Sequence, residues 1–139
     1  MKKITYPALP VLVVDDEEQF RLSLMMTLSS NGINNVIECG DSRAVLGMLQ
    51  ETPCEMALLD LAMPGLSGSK LLPEIVKEYP HLPVIILTAI NEVNSAVECM
   101  KCGAFDYLVK PVDESRLVTT VRRAAELRQM QDENSRLKE

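Results

Sequence analysis

The segment from Met56 to Gly68 constrains the fold more than any other part of this sequence. It begins with a short, uniformly apolar run, Met56 to Leu59, which is followed by Asp60 and then by a loop that contains Pro64 and Gly65. The run is too short and too apolar for a half-exposed helix, and proline and glycine are typical of loops. It predicts a strand that is buried on both faces, as in a parallel sheet, with Asp60 at its carboxyl end.

The same alternation of short apolar runs and helical periodicity recurs along the chain. Four further runs are predicted strands: Val11–Val14, Val36–Cys39, Val84–Leu87 and Tyr107–Val109. After each strand, apolar residues recur at intervals of three and four, which predicts a helix. In the fourth helix these residues are Val93, Ala96, Val97 and Met100. Five strand-then-helix units with short connections predict a doubly wound α/β fold, in which helices cover both faces of a parallel sheet.

Length and charge exclude several classes of function. The 139 residues, of which 47% are hydrophobic, suit one domain with one core. A net charge of -6 offers no basic patch for nucleic acid and weakens attraction to anionic membranes. No apolar run approaches membrane-spanning length, and four cysteines are too few for a secreted disulfide scaffold. We therefore expect a cytoplasmic protein that binds neither nucleic acid nor membranes directly.

Polar residues follow four of the five predicted strands. Asp15 and Asp16 follow the first strand, Asp60 the third, Thr88 the fourth and Lys110 the fifth. In doubly wound folds, ligands bind beyond the carboxyl ends of the strands. We therefore expect these side chains to meet in one pocket.

Three carboxylates in one pocket repel one another unless a cation lies between them. A hard divalent ion with oxygen ligands, most simply Mg²⁺, resolves this repulsion, and Asp15, Asp16 and Asp60 are its candidate ligands. Lys110 adds a positive charge that can pair with Asp60 at rest and with a phosphoryl oxygen later.

This set of groups suits phosphoryl transfer. A carboxylate can act as the nucleophile and form an acyl phosphate, and Asp60 is the candidate. Thr88 would donate a hydrogen bond to the phosphoryl group, and the small side chain of Ala89 would leave room beside it.

The chain resembles the receiver domain of bacterial two-component response regulators. The matching motifs are the paired acids Asp15 and Asp16, Asp60 with Met63, Pro64 and Gly68, the pair Thr88 and Ala89, and the segment from Gly103 to Pro111. The resemblance extends from about Pro10 to Ala125. It implies a flavodoxin-like five-stranded parallel sheet of strand order 2-1-3-4-5, flanked by five helices.

The resemblance also implies a mechanism. Asp60 would accept a phosphoryl group from the phosphohistidine of a sensor histidine kinase. Magnesium would be held by Asp16, Asp60 and the backbone carbonyl of Ala62, and by Asp15 largely through water. The peptide bond between Lys110 and Pro111 would be cis.

Thr88 and Tyr107 would form the switch pair of the family. Phosphorylation would alter the face made by the fourth helix, fifth strand and fifth helix, and so control an output that we expect to be transcriptional. We expect self-catalysed phosphorylation and dephosphorylation, but not an enzyme with a separate substrate.

The two ends lie outside this unit. Residues 1–9 are interpreted as a loose leader, 10–125 as the receiver domain and 126–139 as a helical extension. Leu127, Met130, Asn134 and Leu137 repeat at a three-four-three spacing in the extension, which fits either a short coiled coil or a solvated helix.

The extension resembles the linker to the output domain in transcriptional activators of the nitrogen-regulator type, whose central domain is an AAA+ ATPase. It suggests either a fragment that lacks its output domain or a single-domain protein that forms a homodimer through residues 113–139.

The sequence leaves three rival functions open. A flavodoxin-like cofactor binder would carry a glycine- or hydroxyl-rich phosphate loop where residues 15–18 are all acidic. A haloacid-dehalogenase-like phosphatase would carry a D-x-D pattern after the first strand, but residue 17 is Glu17. A receiver-shaped interaction module without phosphorylation is disfavoured because no site residue is missing.

Overall fold

The chain folds into five strands that alternate with five helices. The structure is a computed structural model and describes residues 4–137, with side chains as far as Gln131. The strands are β1 (Val11–Val14), β2 (Val36–Cys39), β3 (Met56–Asp60), β4 (Val84–Ala89) and β5 (Asp106–Lys110). The helices are α1 (Glu18–Ser30), α2 (Val45–Glu51), α3 (Gly68–Glu78), α4 (Val93–Lys101) and α5 (Glu114–Leu137). Single 3₁₀ turns, Ser42–Ala44 and Ile90–Glu92, precede α2 and α4.

The strands form one parallel sheet of order β2-β1-β3-β4-β5, which confirms the expected topology. Successive residues of a strand point to opposite faces. Leu12, Leu59 and Ile86 pack with α2, α3 and α4, whereas Val13, Leu58 and Ile85 pack with α1 and α5. The sheet is therefore covered on both faces, which explains why its central strands are continuously apolar.

The end of α1 shows how local sequence sets an element boundary. Gly32 has a φ of 83°, in the left-handed region that favours glycine. The Gly32 amide donates to the Ser29 carbonyl at 3.1 Å, and the Ile33 amide donates to the Leu28 carbonyl at 2.9 Å. This is the Schellman arrangement, so the pair Asn31-Gly32 ends the helix.

The leader is not loose over the residues that the structure describes. The Tyr6 amide donates to Asn34 Oδ1 at 2.9 Å, and the backbone amides of Asn34 and Asn35 both donate to the Tyr6 carbonyl. The Tyr6 ring also lies 5.9 Å from the Arg122 guanidinium on α5. The expectation of a loose leader is wrong for residues 4–9, because two asparagines of the α1–β2 turn satisfy its backbone groups.

Helix α4 buries only part of its predicted apolar face, and α5 begins at a side-chain cap. In α4, Ala96 and Cys99 are buried, whereas Val97 and Met100 are 41% and 36% exposed. At the start of α5, the carboxylate of Asp113 accepts a hydrogen bond from the Arg116 amide, so Asp113 is the N-cap of this helix.

The last helix continues into the extension without a break. It ends at Leu137, as far as the chain is described, and the side chains of Asn134 and Leu137 lie outside the described residues. Leu127 and Met130, the first two residues of the proposed heptad, are 36% and 60% exposed. Within residues 4–137, no helix combines the length and apolar character that crossing a membrane requires.

Candidate functional site

Asp60 ends β3 at the carboxyl edge of the sheet, within a cluster of acidic side chains that we call the acidic pocket. Its register partner on β4 is Leu87, and only 5% of the residue is exposed. The Ala62 amide donates to Asp60 Oδ1 at 3.3 Å, so the loop after β3 turns back over the carboxylate. The loop then closes with the Gly68 amide donating to the Leu61 carbonyl at 3.0 Å.

The two acids after β1 have different environments. Asp15 is fully buried, and its Oδ1 accepts a hydrogen bond from the Glu17 amide at 2.8 Å. Asp16 is exposed. Carboxylate oxygens of Asp15, Asp16 and Asp60 all lie within 4.8 Å of one another, so the three predicted acids do converge.

Lys110 enters the same pocket from the end of β5. Its Nζ donates to Asp15 Oδ2 at 2.7 Å and lies 3.5 Å from Asp60 Oδ1. The peptide bond from Lys110 to Pro111 is cis, as the resemblance implies. Lys110 thus pairs with Asp60 as expected, but its shorter contact is with Asp15.

Burial and charge shift the pKa values of the two groups that face each other. Burial, together with the negative charge of Asp15, raises the pKa of Asp60 from 3.8 to about 6, although Lys110 and the Ala62 amide oppose this. Burial lowers the pKa of Lys110, but the hydrogen bond to Asp15 and the charges of Asp60 and Asp15 outweigh it, so the pKa lies above its usual value. Ionisation of Asp60 therefore costs free energy in the folded protein, and Lys110 is positively charged.

We expect Asp60→Asn to raise the free energy of unfolding by about 1–2 kcal/mol at neutral pH without divalent ions. The raised pKa means that the neutral carboxyl contributes stability below about pH 4, and that this contribution is lost as the pH rises through about 6. The asparagine is neutral at every pH, so the difference in the free energy of unfolding between Asp60→Asn and the parent should vanish near pH 4. Urea unfolding of both proteins between these pH values measures the difference.

Asp41→Asn is the matched control for that experiment. The hydrogen bond from the Arg43 side chain lowers the pKa of Asp41, so the sign is opposite and this substitution should not stabilise the fold at neutral pH. Equal stability of parent and Asp60→Asn at neutral pH would contradict the proposed cost of ionising Asp60.

Arg21 supports the acidic loop, a role that the sequence interpretation missed. Its Nη1 donates to the backbone carbonyl of Asp15 at 2.6 Å, and its Nε donates to Glu38 Oε1 at 2.8 Å. A Cβ at Gly40 would lie 2.9 Å from Arg21 Nη1, so the guanidinium occupies the space beside this glycine. A charged residue inside the short strand β2 was the one sequence signal for this ion pair.

Thr88 and Tyr107 lie on the opposite side of the sheet from Lys110. The Thr88 hydroxyl lies 3.2 Å from the carbonyl oxygens of both Ala89 and Glu92, at the start of α4, and the residue is 1% exposed. The half-buried ring of Tyr107 packs against the cluster that α2, α3 and α4 cover. Ala89 pairs in register with Lys110, so β4 and β5 bring both groups to the same edge.

The donor set of the pocket fits a hard divalent cation. The candidate ligand atoms are carboxylate oxygens from Asp15, Asp16 and Asp60. The Ala62 amide donates to Asp60 Oδ1, so the Ala62 carbonyl belongs to the same loop. Oxygen ligands with one exposed carboxylate are typical of magnesium sites, where several waters are retained. Lys110 supplies the positive charge among these acids in the structure.

A five-stranded doubly wound sheet with an acid pocket and a lysine at its carboxyl edge defines a class of signalling domain. Residues 11–122 match the family model of the response regulator receiver domain, and the chain belongs to this family. The match spans every residue of the acidic pocket, together with Thr88, Tyr107 and Arg21.

The relatives narrow the resemblance to regulators of the NtrC and NtrX type. The chain is 36% identical to an NtrX-like response regulator of Rickettsia felis over 94% of its own length and 28% of that protein. It is 38% identical to the DNA-binding transcriptional regulator NtrC of Escherichia coli, over 82% of this chain and 24% of NtrC. The chain thus spans about a quarter of the length of these relatives.

A solved receiver domain has the same fold. The crystal structure of the receiver domain of NtrX from Brucella abortus superposes with a TM-score of 0.79 at 32% identity, covering 84% of this chain and 98% of that one. Because residues 11–122 match the receiver family, the flavodoxin-like cofactor binder and the haloacid-dehalogenase-like phosphatase are excluded as the family of this chain.

Proposed function

We propose that this chain is the phosphoacceptor of a two-component phosphorelay, in which Asp60 takes a phosphoryl group from the phosphohistidine of a sensor histidine kinase. One observation carries the proposal. Asp60 is buried at the end of β3, with its carboxylate within 4.8 Å of those of Asp15 and Asp16 and 3.5 Å from Lys110 Nζ. The candidate nucleophile, the candidate metal ligands and a charged lysine are thus adjacent.

The chemistry needs positioning and charge neutralisation more than covalent help. An oxygen of Asp60 would attack the phosphorus atom in line while the bond from phosphorus to the histidine nitrogen breaks. Lys110 would neutralise a phosphoryl oxygen, and Thr88 would donate a hydrogen bond beside the small Ala89. Mg²⁺ held by Asp15, Asp16, Asp60 and the Ala62 carbonyl would supply the remaining positive charge.

The switch would follow from the position of Thr88. Its hydroxyl now bonds to the Glu92 carbonyl at the start of α4, so moving it toward a phosphoryl group would break that bond. Inward rotation of the half-buried Tyr107 ring would accompany this change. The face made by α4, β5 and α5 would therefore differ between the two states, which is the signal that a partner reads.

The relatives suggest the remaining partners. Because NtrC is named as a DNA-binding transcriptional regulator and is about four times longer than the matched region, we propose a transcriptional output domain as the target of the switch. The exposed Leu127 and Met130 on α5 suit a homodimer through residues 113–139. We further propose a cytoplasmic location, no direct binding of nucleic acid or membranes by this chain, and self-catalysed phosphorylation without a separate substrate.

Intact mass spectrometry after incubation with Mg²⁺ and a small-molecule phosphodonor tests this function. We expect one added phosphoryl group in the presence of Mg²⁺, and none when a chelator removes the metal. Absence of labelling by both the small donor and a histidine kinase would leave a receiver-shaped interaction module. Repeated turnover of phosphate esters would instead indicate an enzyme.

A further inference from the structure

The Lys110 ammonium has a third neighbour besides the two carboxylates. Its Nζ lies 4.2 Å from the centroid of the Phe20 ring. Cations within about 6 Å of a ring centroid are attracted by the negative face of the ring, more strongly where water is excluded. Only 21% of the Lys110 side chain is exposed, so the side chain has lost most of its contact with water. The Phe20 ring replaces part of the lost hydration.

The fold explains why these two residues meet. Leu108 packs in the cluster that α1 and α5 cover, and Phe20 packs against the same cluster. Lys110 follows Leu108 by two residues, so the alternation along β5 directs it to that side. A cavity of about 490 Å³ lies beside the ring and is lined by Phe20, Lys110, Val112 and Leu117 among others. The ring thus has open space on one side, so crowding alone does not press it against Lys110.

We propose that Phe20 is a positioning residue for Lys110. The face of the Phe20 ring keeps the Lys110 ammonium in the acidic pocket while the carboxylates that pair with the ammonium change. This inference rests on the proposed function. A divalent cation would compete with Lys110 for Asp15 and Asp60, and phosphorylation would convert Asp60 itself. Neither event engages the Phe20 ring, so the ring is the neighbour of Lys110 that persists through the reaction.

The first test compares initial rates of Mg²⁺-dependent labelling by a small-molecule phosphodonor, followed by intact mass. Phe20→Leu keeps an apolar side chain but removes the ring face, and we expect labelling to slow by about threefold or more. Phe20→Tyr keeps the ring face and should stay close to the parental rate, with the open cavity beside the ring able to take the hydroxyl. Leu22→Ala, on the exposed side of α1, is the matched control and should label like the parent.

Fluorinated phenylalanines at position 20 separate the ring's electrostatic role from its packing. Added fluorine atoms withdraw electrons from the ring face while the ring shape is kept, so labelling should slow progressively as fluorine atoms are added. Equal rates across this series, or a parental rate for Phe20→Leu, would overturn the inference. The series also decides the question if Phe20→Leu does not fold.

Proton NMR of the unphosphorylated chain gives a readout that does not depend on labelling. Protons near the Lys110 ammonium lie close to the face of the Phe20 ring, so their resonances should be shifted upfield of those of exposed lysines. The upfield shift should persist with Mg²⁺, remain in Phe20→Tyr and disappear in Phe20→Leu. If the parent takes no phosphoryl group, the proposed function fails, whereas a shift that is absent, or lost on adding Mg²⁺, refutes the role of Phe20.

Discussion

We expect Asp60→Asn to take up no phosphoryl group under conditions that label the parent fully, while it keeps the same fold. The amide has nearly the shape of the carboxylate but is a poor nucleophile, so the acyl phosphate cannot form. Intact mass after incubation with Mg²⁺ and a phosphodonor measures the loss, which should exceed about a hundredfold in initial rate.

The environment of Asp60 explains why this loss should be chemical and not structural. The residue is buried, and its principal polar contacts are the Ala62 amide at 3.3 Å and Lys110 Nζ at 3.5 Å. Asn retains an oxygen that can accept from both donors, and it removes a carboxylate whose ionisation is costly. Circular dichroism of the variant should therefore match the parent, and a variant labelled at the same position and rate would refute Asp60 as the acceptor.

Gly68→Ala should lower the free energy of unfolding by about 3 kcal/mol and slow labelling of Asp60 as well. A Cβ at Gly68 would lie 2.2 Å from the Asp60 carbonyl oxygen and 2.9 Å from the Leu61 Cα. Both atoms belong to the backbone, so no flexible side chain can move aside. Relief of this clash must displace either the first turn of α3 or the end of β3 that carries the acceptor.

Gly47→Ala is the control for the Gly68 substitution. Gly47 lies within α2, and a Cβ there would meet no atom within 4 Å. Alanine is favoured over glycine inside helices, so this variant should gain up to about 1 kcal/mol and label normally. Equal unfolding midpoints in urea for Gly68→Ala and the parent would show that the loop after β3 relaxes freely, contrary to the expected clash.

The predicted site residues converge in space because their positions follow from chain connectivity. In a parallel sheet, every strand of a strand-then-helix unit ends at the same edge, so Asp15, Asp60 and Lys110 converge whatever the details of packing. Local sequence also set the elements: each apolar run became a strand, and Gly32, with a φ of 83°, ends α1. These features depend on local backbone preference and on the period of the apolar residues, both of which are visible in a single sequence.

Pairwise contacts were harder to predict because they depend on which face of the sheet each side chain occupies. Lys110 bonds more closely to Asp15 than to Asp60, although β3, which carries Asp60, lies nearer to β5 in the sheet than β1 does. Val97 and Met100 keep the helical period of α4 but stay partly exposed, because Ala96 and Cys99 make the closest approach to the sheet. A period predicts a helix and an approximate face, but the depth at which that helix sits decides what is buried.

The sequence by itself thus determined the fold class and which side chains meet in the acidic pocket, and its family motifs indicated the strand order. It could do so because strand ends, turn residues and apolar periods are visible along the chain. Only the tertiary structure decided that Phe20 faces Lys110, that Arg21 and Glu38 secure the carbonyl of Asp15, and that the leader docks on the α1–β2 turn. These contacts join residues whose distance in space is set by the register and twist of the sheet and by helix packing. No periodicity or motif along the chain encodes that distance, so such contacts become visible only when the core is assembled.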